Sequence, residues 1–571
     1  MQSREKLDKV VDKSIFFFIF FLPFFSPASY LALLVALILW LRKQNLRRIL
    51  DFKPKIFGWA LLGFILAVGL SVIFSINKIL SFGSFALFIF YPLSCLLIAG
   101  NVRNEERAEK ILRVAILSGL VITVFGIVQY LARIDLDYKF GFITIGLHVK
   151  EGLGSTLGNP NKFAKYLDLI LPLSFVSLLV QKELKRKILP GMLLILGLVC
   201  LVLSRSLGGM AAVFSVIMVI LLIKNWRVFL IVMAGLFVFT FFNYGWIIKT
   251  IPKYGSPSHR IYTWREVVPR IFKSYPLVGS GLGTYKLVFR RESPEKEWIV
   301  DATNSYEGTR CIQATVAWSW LWQDVPVEPD RYYVLSTYVR SDIVSSERIE
   351  DGNTFLTLEC LNDKNKVVAR EWGVVNADSS WGLRKTQIFA PPGTVKMRMK
   401  LAKRQGEGSV WFDDLRLIES SSPISKEKRE KTILDTKKMI PNPGFELLHQ
   451  AGRPQSWKQT PGRWVATTAH SLYFNCLSEL GIVGLVSLLL VIAIFFHSSV
   501  RYLRRHSFLA MSGIIGGCSL SILAALIHGT VETFLDVFPV GLMFWVLIGL
   551  AMGVLRLPSS RQEKTLKAFK G

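Results

Sequence analysis

Membrane-length apolar runs occupy both ends of the chain and leave a long polar, aromatic stretch between them. An apolar run from Ser14 to Trp40 is interrupted by Pro23 and Pro27; others cover about 57–75, 83–99, 112–131, 163–180, 189–204, 208–223 and 228–248. Three more follow at about 472–497, 508–530 and 537–555. Runs of close to 20 residues are what an α-helix needs to cross a bilayer. Cations flank the first run on both sides, with Arg4, Lys6, Lys9 and Lys13 before it and Arg42, Lys43, Arg47 and Arg48 after it. Both flanks therefore face the cytoplasm, and the run reads as a hairpin of two short spans. Counting twelve spans puts Arg103, Arg107, Lys110, Arg113, Lys182 to Lys187, Lys224 to Arg227, Arg501, Arg504, Arg505 and the basic tail on that same side. It puts 249–471 on the outside.

Within that outer stretch the period changes to two. Val395, Met397, Met399 and Leu401 alternate with Lys396, Arg398 and Lys400, which gives a strand one buried and one wet face. Thr354 to Leu361, Arg331 to Arg340 and Ser409 to Leu417 read the same way, and several such strands at short spacing predict an antiparallel β-sandwich. A charged linker, Ser420 to Lys438, precedes Asn442-Pro443-Gly444-Phe445-Glu446 and Trp457. That pentapeptide resembles the first strand of jelly-roll carbohydrate-binding modules, and Val410-Trp411-Phe412-Asp413-Asp414-Leu415 resembles their last. The reversed order implies a circularly permuted module over about 295–460. The expected organisation is an α-helical polytopic membrane protein with an inserted extracytoplasmic β-sandwich. An N-terminal transmembrane region covers residues 1–290 with an outer helix at 258–275, the insertion covers 291–464, and a C-terminal transmembrane region covers 465–571.

Composition agrees with a membrane protein: 51% of the 571 residues are hydrophobic and the mean hydropathy is +0.40. The net charge of +28 is explained by cations gathered in cytoplasmic loops, so nucleic acid is not expected as a partner. Six cysteines do not make a disulfide framework, and only Cys311 and Cys360 lie where a pair could form outside the membrane. The apolar run after Lys13 has no clear small-residue cleavage site, so a cleavable signal peptide is not expected.

Candidate chemistry gathers at the two ends of the outer stretch. His470 stands where it re-enters the membrane, and an imidazole there can take a proton from a hydroxyl; it can equally bond a neighbouring helix. Arg260 lies in the outer helix that Ser258 could cap, and a guanidinium suits a diphosphate. Arg265 is five residues on, about 140° around an α-helix, so the two do not share a face unless Pro269 distorts the segment. Arg205 is a cation in a very short connection between two apolar spans, either snorkelling to head groups or contacting an anion. Gly158-Asn159-Pro160-Asn161 starts a helix, and the Asn159 and Asn161 amides could also bind sugar hydroxyls. Lys162 and Lys165 follow at the mouth of that span. Gly279-Ser280-Gly281-Leu282-Gly283 follows no strand and is read as a turn, not a nucleotide loop. Trp318, Trp320 and Trp322 share one face of a strand; an exposed row would stack on sugars, a buried row would fill the core, and the core reading is favoured. Asp413 and Asp414 could hold a structural calcium ion, although two carboxylates fall far short of a full shell. No cluster has catalytic-metal spacing.

Taken in order, Gly158-Asn159-Pro160-Asn161, Ser204-Arg205, Arg260 with Trp264, Pro276-Leu277-Val278-Gly279-Ser280-Gly281-Leu282-Gly283, and Ala469-His470-Ser471-Leu472-Tyr473 with Glu479-Leu480-Gly481 and Gly484 resemble the O-antigen ligase and polymerase superfamily of bacterial membrane glycosyltransferases. The resemblance covers about 110–290 and 465–555. It implies a C-type glycosyltransferase fold on the outer face of the inner membrane, transferring a glycan from a polyprenyl diphosphate to an acceptor hydroxyl with inversion and without a metal. His470 would then be the base or acceptor-orienting group, and Arg260 and Arg205 would hold the diphosphate. The acceptor would be a glycan, a lipid or a protein, so ligase, polymerase and protein-glycosylating activities all remain open. The chain departs from the family at Ser471, where asparagine commonly follows the histidine, and in the length of the loop from Arg290 to Thr468. A different class, a non-enzymatic sugar-binding receptor or transporter, would favour an internal repeat between the halves, and none is clear.

Overall fold

The computed structural model describes residues 2–43, 55–133, 136–140, 143–147, 152–242, 260–261, 263–292, 298–315, 320–343, 354–375, 377–403, 408–420, 422, 440–448, 454–460, 467–506 and 510–557. It divides into two compact units, Met1–Glu292 with Thr467–Gly571, and Ser293–Ala466.

The first unit is helical. Helices α1 (Gln2–Phe21) and α2 (Ser26–Lys43) pack as a hairpin about a turn that holds Pro23. They are followed by α3 (Lys55–Ile73), α4 (Lys78–Phe88), α5 (Phe90–Asn101) and α6 (Glu105–Leu131). The charged start of α1 continues the helix, and Asp8 and Asp12 pair with Arg103 and Arg107 at the start of α6. A short antiparallel hairpin, β1 (Leu136–Phe140) with β2 (Ile143–Leu147), occupies the polar segment between the spans at 112–131 and 163–180, where the apolar pattern predicts no element. Then come α7 (Pro160–Val180), α8 (Leu184–Leu203), α9 (Leu207–Lys224), α10 (Trp226–Phe242), the short α11 (Val268–Ser274) and α12 (Tyr285–Glu292). After the second unit, α13 (Leu472–Arg505), α14 (Ala510–His528) and α15 (Phe538–Val554) complete the bundle. Among the described residues seven helices are long and apolar enough to cross a membrane, and four shorter apolar helices accompany them. Helix α15 sits in the middle, with Trp545 fully buried and stacked near Phe64 of α3.

The second unit is a pair of five-stranded antiparallel sheets. One runs β12 (Lys458–Thr460), β5 (Trp320–Pro326), β10 (Lys396–Lys403), β7 (Thr354–Leu361), β8 (Val367–Val375). The other runs β3 (Trp298–Asp301), β4 (Cys311–Ala314), β11 (Val410–Ser420), β6 (Arg331–Ser341), β9 (Gly382–Ala390). The period-two reading explains the core: Met397, Met399 and Leu401 are fully buried while Lys396, Arg398 and Lys400 turn outward. They meet Leu356 and Leu358 beside them and Phe412 and Leu417 from the other sheet, each contributing about 1.5–3 kcal/mol by leaving water. Asn442 to Glu446 forms a turn, not the expected strand; its Phe445 is fully buried against Trp457, and the Pro443 carbonyl accepts from the Leu415 amide. Cys311 and Cys360 are both buried and unbridged.

Candidate functional site

Both ends of the insertion are zipped together by backbone. The amides of Ser280 and Gly281 donate to the carbonyls of Ser478 and Glu479, and those of Ile482 and Val483 donate to Pro276 and Leu277. Glu479 accepts from the Tyr285 amide at 3.0 Å. The approach demands glycine at two points. Gly279 has φ +73°, and a Cβ there would lie 2.2 Å from the Glu479 carbonyl carbon. Gly481 has φ +66°, breaks α13 and leaves only 2.3 Å to the Leu277 oxygen. The Gly-rich segment is thus a turn that anchors the rim.

On that rim, one carboxylate collects the cations. Glu532 lies in the connection between α14 and α15 and is 8% exposed. Its Oε1 accepts from Arg260 Nη2 at 2.6 Å and lies 3.5 Å from His470 Nδ1, while its Oε2 is 3.4 Å from Lys165 Nζ. The Lys165 ammonium also donates to the Thr533 carbonyl at 2.5 Å. Burial pushes the Glu532 carboxyl up, but His470, Lys165 and Arg260 outweigh it and hold it at about 2. Three residues along α7 from Lys165, Asp168 meets His528 at the end of α14 at 2.5 Å, both buried. The Gly529 carbonyl that follows accepts from the Leu472 amide at 2.7 Å and from the Ser471 hydroxyl at 3.4 Å. The Asp168–His528 pair therefore fixes the corner on which the His470 loop hangs.

His470 itself is held in a left-handed conformation, φ +49°, where a non-glycine residue is strained. Trp264 anchors the preceding residue, donating from Nε1 to the Ala469 carbonyl at 2.7 Å, and Asn475 accepts from the Ala469 amide at 3.1 Å. Trp264 belongs to a π-helical turn, Thr263–Val267, just before α11. Arg260 enters the Glu532 cluster, whereas Arg265 is exposed and does not join it. Ser258 lies outside the described residues.

The remaining sequence candidates fare differently. Asn159 is the cap of α7, its Oδ1 accepting from the amides of Asn161 at 3.0 Å and Lys162 at 3.2 Å, so that oxygen is occupied by the helix end. Asn161 is half-buried and Lys162 exposed at the same helix start, two turns or less from Lys165 and Asp168. Arg205 is exposed at φ +55° in the turn between α8 and α9, three residues before Gly208, which packs directly on the His528 ring. That brings it to the same end of the bundle. Sequence reasoning missed Glu532, Asp168 and His528. For Asp168 and His528 the available signal was an ionisable residue inside an apolar run, which is rare without a partner or a function; Glu532 lies between two such runs and carries no such signal.

Two expectations in the second unit are corrected. Trp320 and Trp322 do not fill the core: Leu321 and Val325, on the opposite face of β5, do. Trp320 instead forms a separate outer cluster with Phe355 and Ala402, edge-on to Trp372, and Trp322 is covered by Arg398 at 4.0 Å and Lys458 at 5.0 Å. Alternation fixes that they share a face, but which face depends on their neighbours. Trp318 lies outside the described residues. Neither ring offers an open face for a sugar; the most exposed ring of the cluster is Trp372, at 44%. The calcium reading of Asp413 and Asp414 also fails. Asp413 accepts from the amides of Tyr306, Glu307 and Asp414, and Asp414 pairs with Arg416 at 2.6 Å. Among the described residues no three His, Cys, Asp or Glu side chains converge as metal ligands.

Comparison with known proteins gives partial structural matches. No family model matches the chain. No curated protein matches it. Among solved structures, the CBM22-1 xylan-binding domain from Paenibacillus barcinonensis Xyn10C matches at 14% identity and TM-score 0.17, over 23% of this chain and 85% of that one. TmCBM61, solved with β-1,4-galactotriose, matches at 15% identity and TM-score 0.17, over 22% and 85%. The enzymatically active domain of bacteriophage CBA120 tailspike protein 4 matches at 14% identity and TM-score 0.17, over 22% of this chain and only 20% of its own length.

Proposed function

We propose that the protein is a membrane glycosyltransferase of the O-antigen ligase type, moving a glycan from a polyprenyl diphosphate to an acceptor hydroxyl. The carrying observation is the convergence of Arg260, His470 and Lys165 on the buried Glu532. Glu532 orients the His470 ring through Nδ1, and Nε2 is the nitrogen that meets the acceptor. As the acceptor oxygen bonds the anomeric carbon, its proton passes to Nε2 and the bond from that carbon to the diphosphate oxygen breaks. Arg260, with Arg205, Lys162 and Lys165 at the same bundle end, stabilises the charge that develops on the departing diphosphate. In this reading the chain crosses a bacterial cytoplasmic membrane twelve times, lies among its lipids with the β-unit on the outer side, and carries a permuted jelly roll that handles the acceptor or the growing glycan at the outer face bearing Trp372.

Purified protein incubated with a polyprenyl-diphosphate glycan and separate glycan, lipid and peptide acceptors tests the reading, with His470→Ala and Arg260→Ala alongside. Release of polyprenyl diphosphate should fall about 10²–10⁴-fold in His470→Ala. The acceptor that supports release distinguishes ligase, polymerase and protein glycosylation. Equal release by both variants and the parent protein would remove the roles assigned here.

A further inference from the structure

The far end of α13 from His470 carries a second grouping that the transfer chemistry does not use. Ile494, His497, Ser498, Arg501 and Arg505 recur at steps of three and four residues, so they share one helix face. With Tyr502, His506, Ala493, Ile56 of α3 and Leu555 just past α15, that face lines an open cavity of about 830 Å³. At 1.5 Å per residue it lies roughly 40 Å along the helix from the His470 rim, near the opposite surface of a bilayer.

Its lining is mixed. Ala493, Ile494, Ile56 and Leu555 are apolar, Ser498 and Tyr502 carry hydroxyls, and Arg501, Arg505, His497 and His506 are basic. Arg501 and Arg505 are exposed, and no carboxylate lines the cavity among the described residues. A helix C-terminus by itself favours a cation in its last turn. It does not account for a cavity of this size, for His497 two turns earlier, or for apolar side chains lining the same cavity as two guanidinium groups. A planar guanidinium binds two phosphate oxygens at once, and basic pockets between membrane helices suit anionic head groups.

We propose that this cavity binds an anionic phospholipid, with Arg501 and Arg505 on the phosphate and the first acyl methylenes along Ile494, Ile56 and Leu555. The site is independent of the transfer reaction, and its test reads no activity. The full chain, purified in detergent, would be titrated with phosphatidylglycerol, phosphatidylethanolamine or inorganic phosphate and followed by native mass spectrometry. The expected result is one phosphatidylglycerol held at least ~10-fold more tightly than phosphatidylethanolamine. That one tight lipid should be lost in Arg501→Gln/Arg505→Gln and in Ala493→Trp, which puts a large ring into the cavity lining without changing charge. An unchanged count of tightly held phosphatidylglycerol in both variants would overturn the proposal. So would equal retention of the two lipids, or displacement of the tight lipid by equimolar inorganic phosphate, which would mark a free-phosphate site. If the arginine variant does not fold, as judged by gel filtration, Ala493→Trp decides alone.

Discussion

Each region of the molecule holds one nearly buried glutamate gripped by cations, and the two are built differently. Glu359 in the β-unit is 2% exposed, with Arg370 at 2.8 Å and Lys400 at 2.7 Å. Its partners follow from the ladder: Arg370 stands directly opposite it on β8, and Lys400 lies one diagonal step away on β10. No backbone is strained to make that pair. Glu532 draws its partners from α7, from the turn before α11 and from the His470 loop, Arg260 being 272 residues distant. One of those partners, His470, has a left-handed backbone conformation. A cross-strand charge cluster is a by-product of pairing strands, whereas strain and long-range assembly persist only where the surroundings enforce them, and such places concentrate at working sites.

The sharpest way to break this contrast is to remove each carboxylate charge in turn. Glu532→Gln should lower polyprenyl-diphosphate release about 10²–10³-fold, because His470 loses the carboxylate that orients it. Glu359→Gln should leave release unchanged and instead lower the unfolding free energy of the β-unit by about 1–3 kcal/mol, since two cations lose a charged partner. Rates and denaturant unfolding of both variants check this together. Equal effects of the two substitutions on transfer would mean the Glu532 cluster is structural as well.

A smaller effect should appear in acid. The folded Glu532 carboxyl is held at about 2, below its ordinary value of 4.5, first against burial and then by His470, Lys165 and Arg260. A depressed carboxyl stabilises the fold above about pH 4.5 and loses that contribution as pH falls toward 2. The loss should be on the order of 2 kcal/mol, and Glu532→Gln should abolish that share of the slope. Thermal unfolding of the parent protein and the variant between pH 6 and 3 reads it out. Parallel curves would show that the carboxylate is not held by those cations.

Legibility in the sequence follows the same division. The strands at Thr354–Leu361 and Lys396–Lys403 are readable because period-two alternation is local, and so are the apolar helices. His470 and Arg260 stand out by their positions at the two ends of one long polar stretch. Glu532 is not, because nothing near it in the chain announces that residues 165, 260 and 470 will surround it. The same limit explains the tryptophans. Alternation puts Trp320 and Trp322 on one face, but the choice of face is made by Leu321 and Val325, whose packing depends on the other sheet.

The smallest predicted effect tests that outer face. Trp320 is 8% exposed and packs on Phe355, whereas Trp372 beside them is 44% exposed on the edge strand β8. Trp320→Ala should therefore destabilise the β-unit by about 2–4 kcal/mol through the lost packing. Trp372→Ala should change it by only about 0.5 kcal/mol, as surface substitutions do. If the outer face handles glycan, the second variant alone should lose retention on immobilised oligosaccharide while melting with the parent protein. A ring that remains accessible can stack on a sugar, and one already packed on Phe355 cannot do so without first giving up the contact that holds it. Equal destabilisation by the two substitutions would mean that Trp372 is packed too, and that this face stabilises the sheet without offering a surface to any ligand.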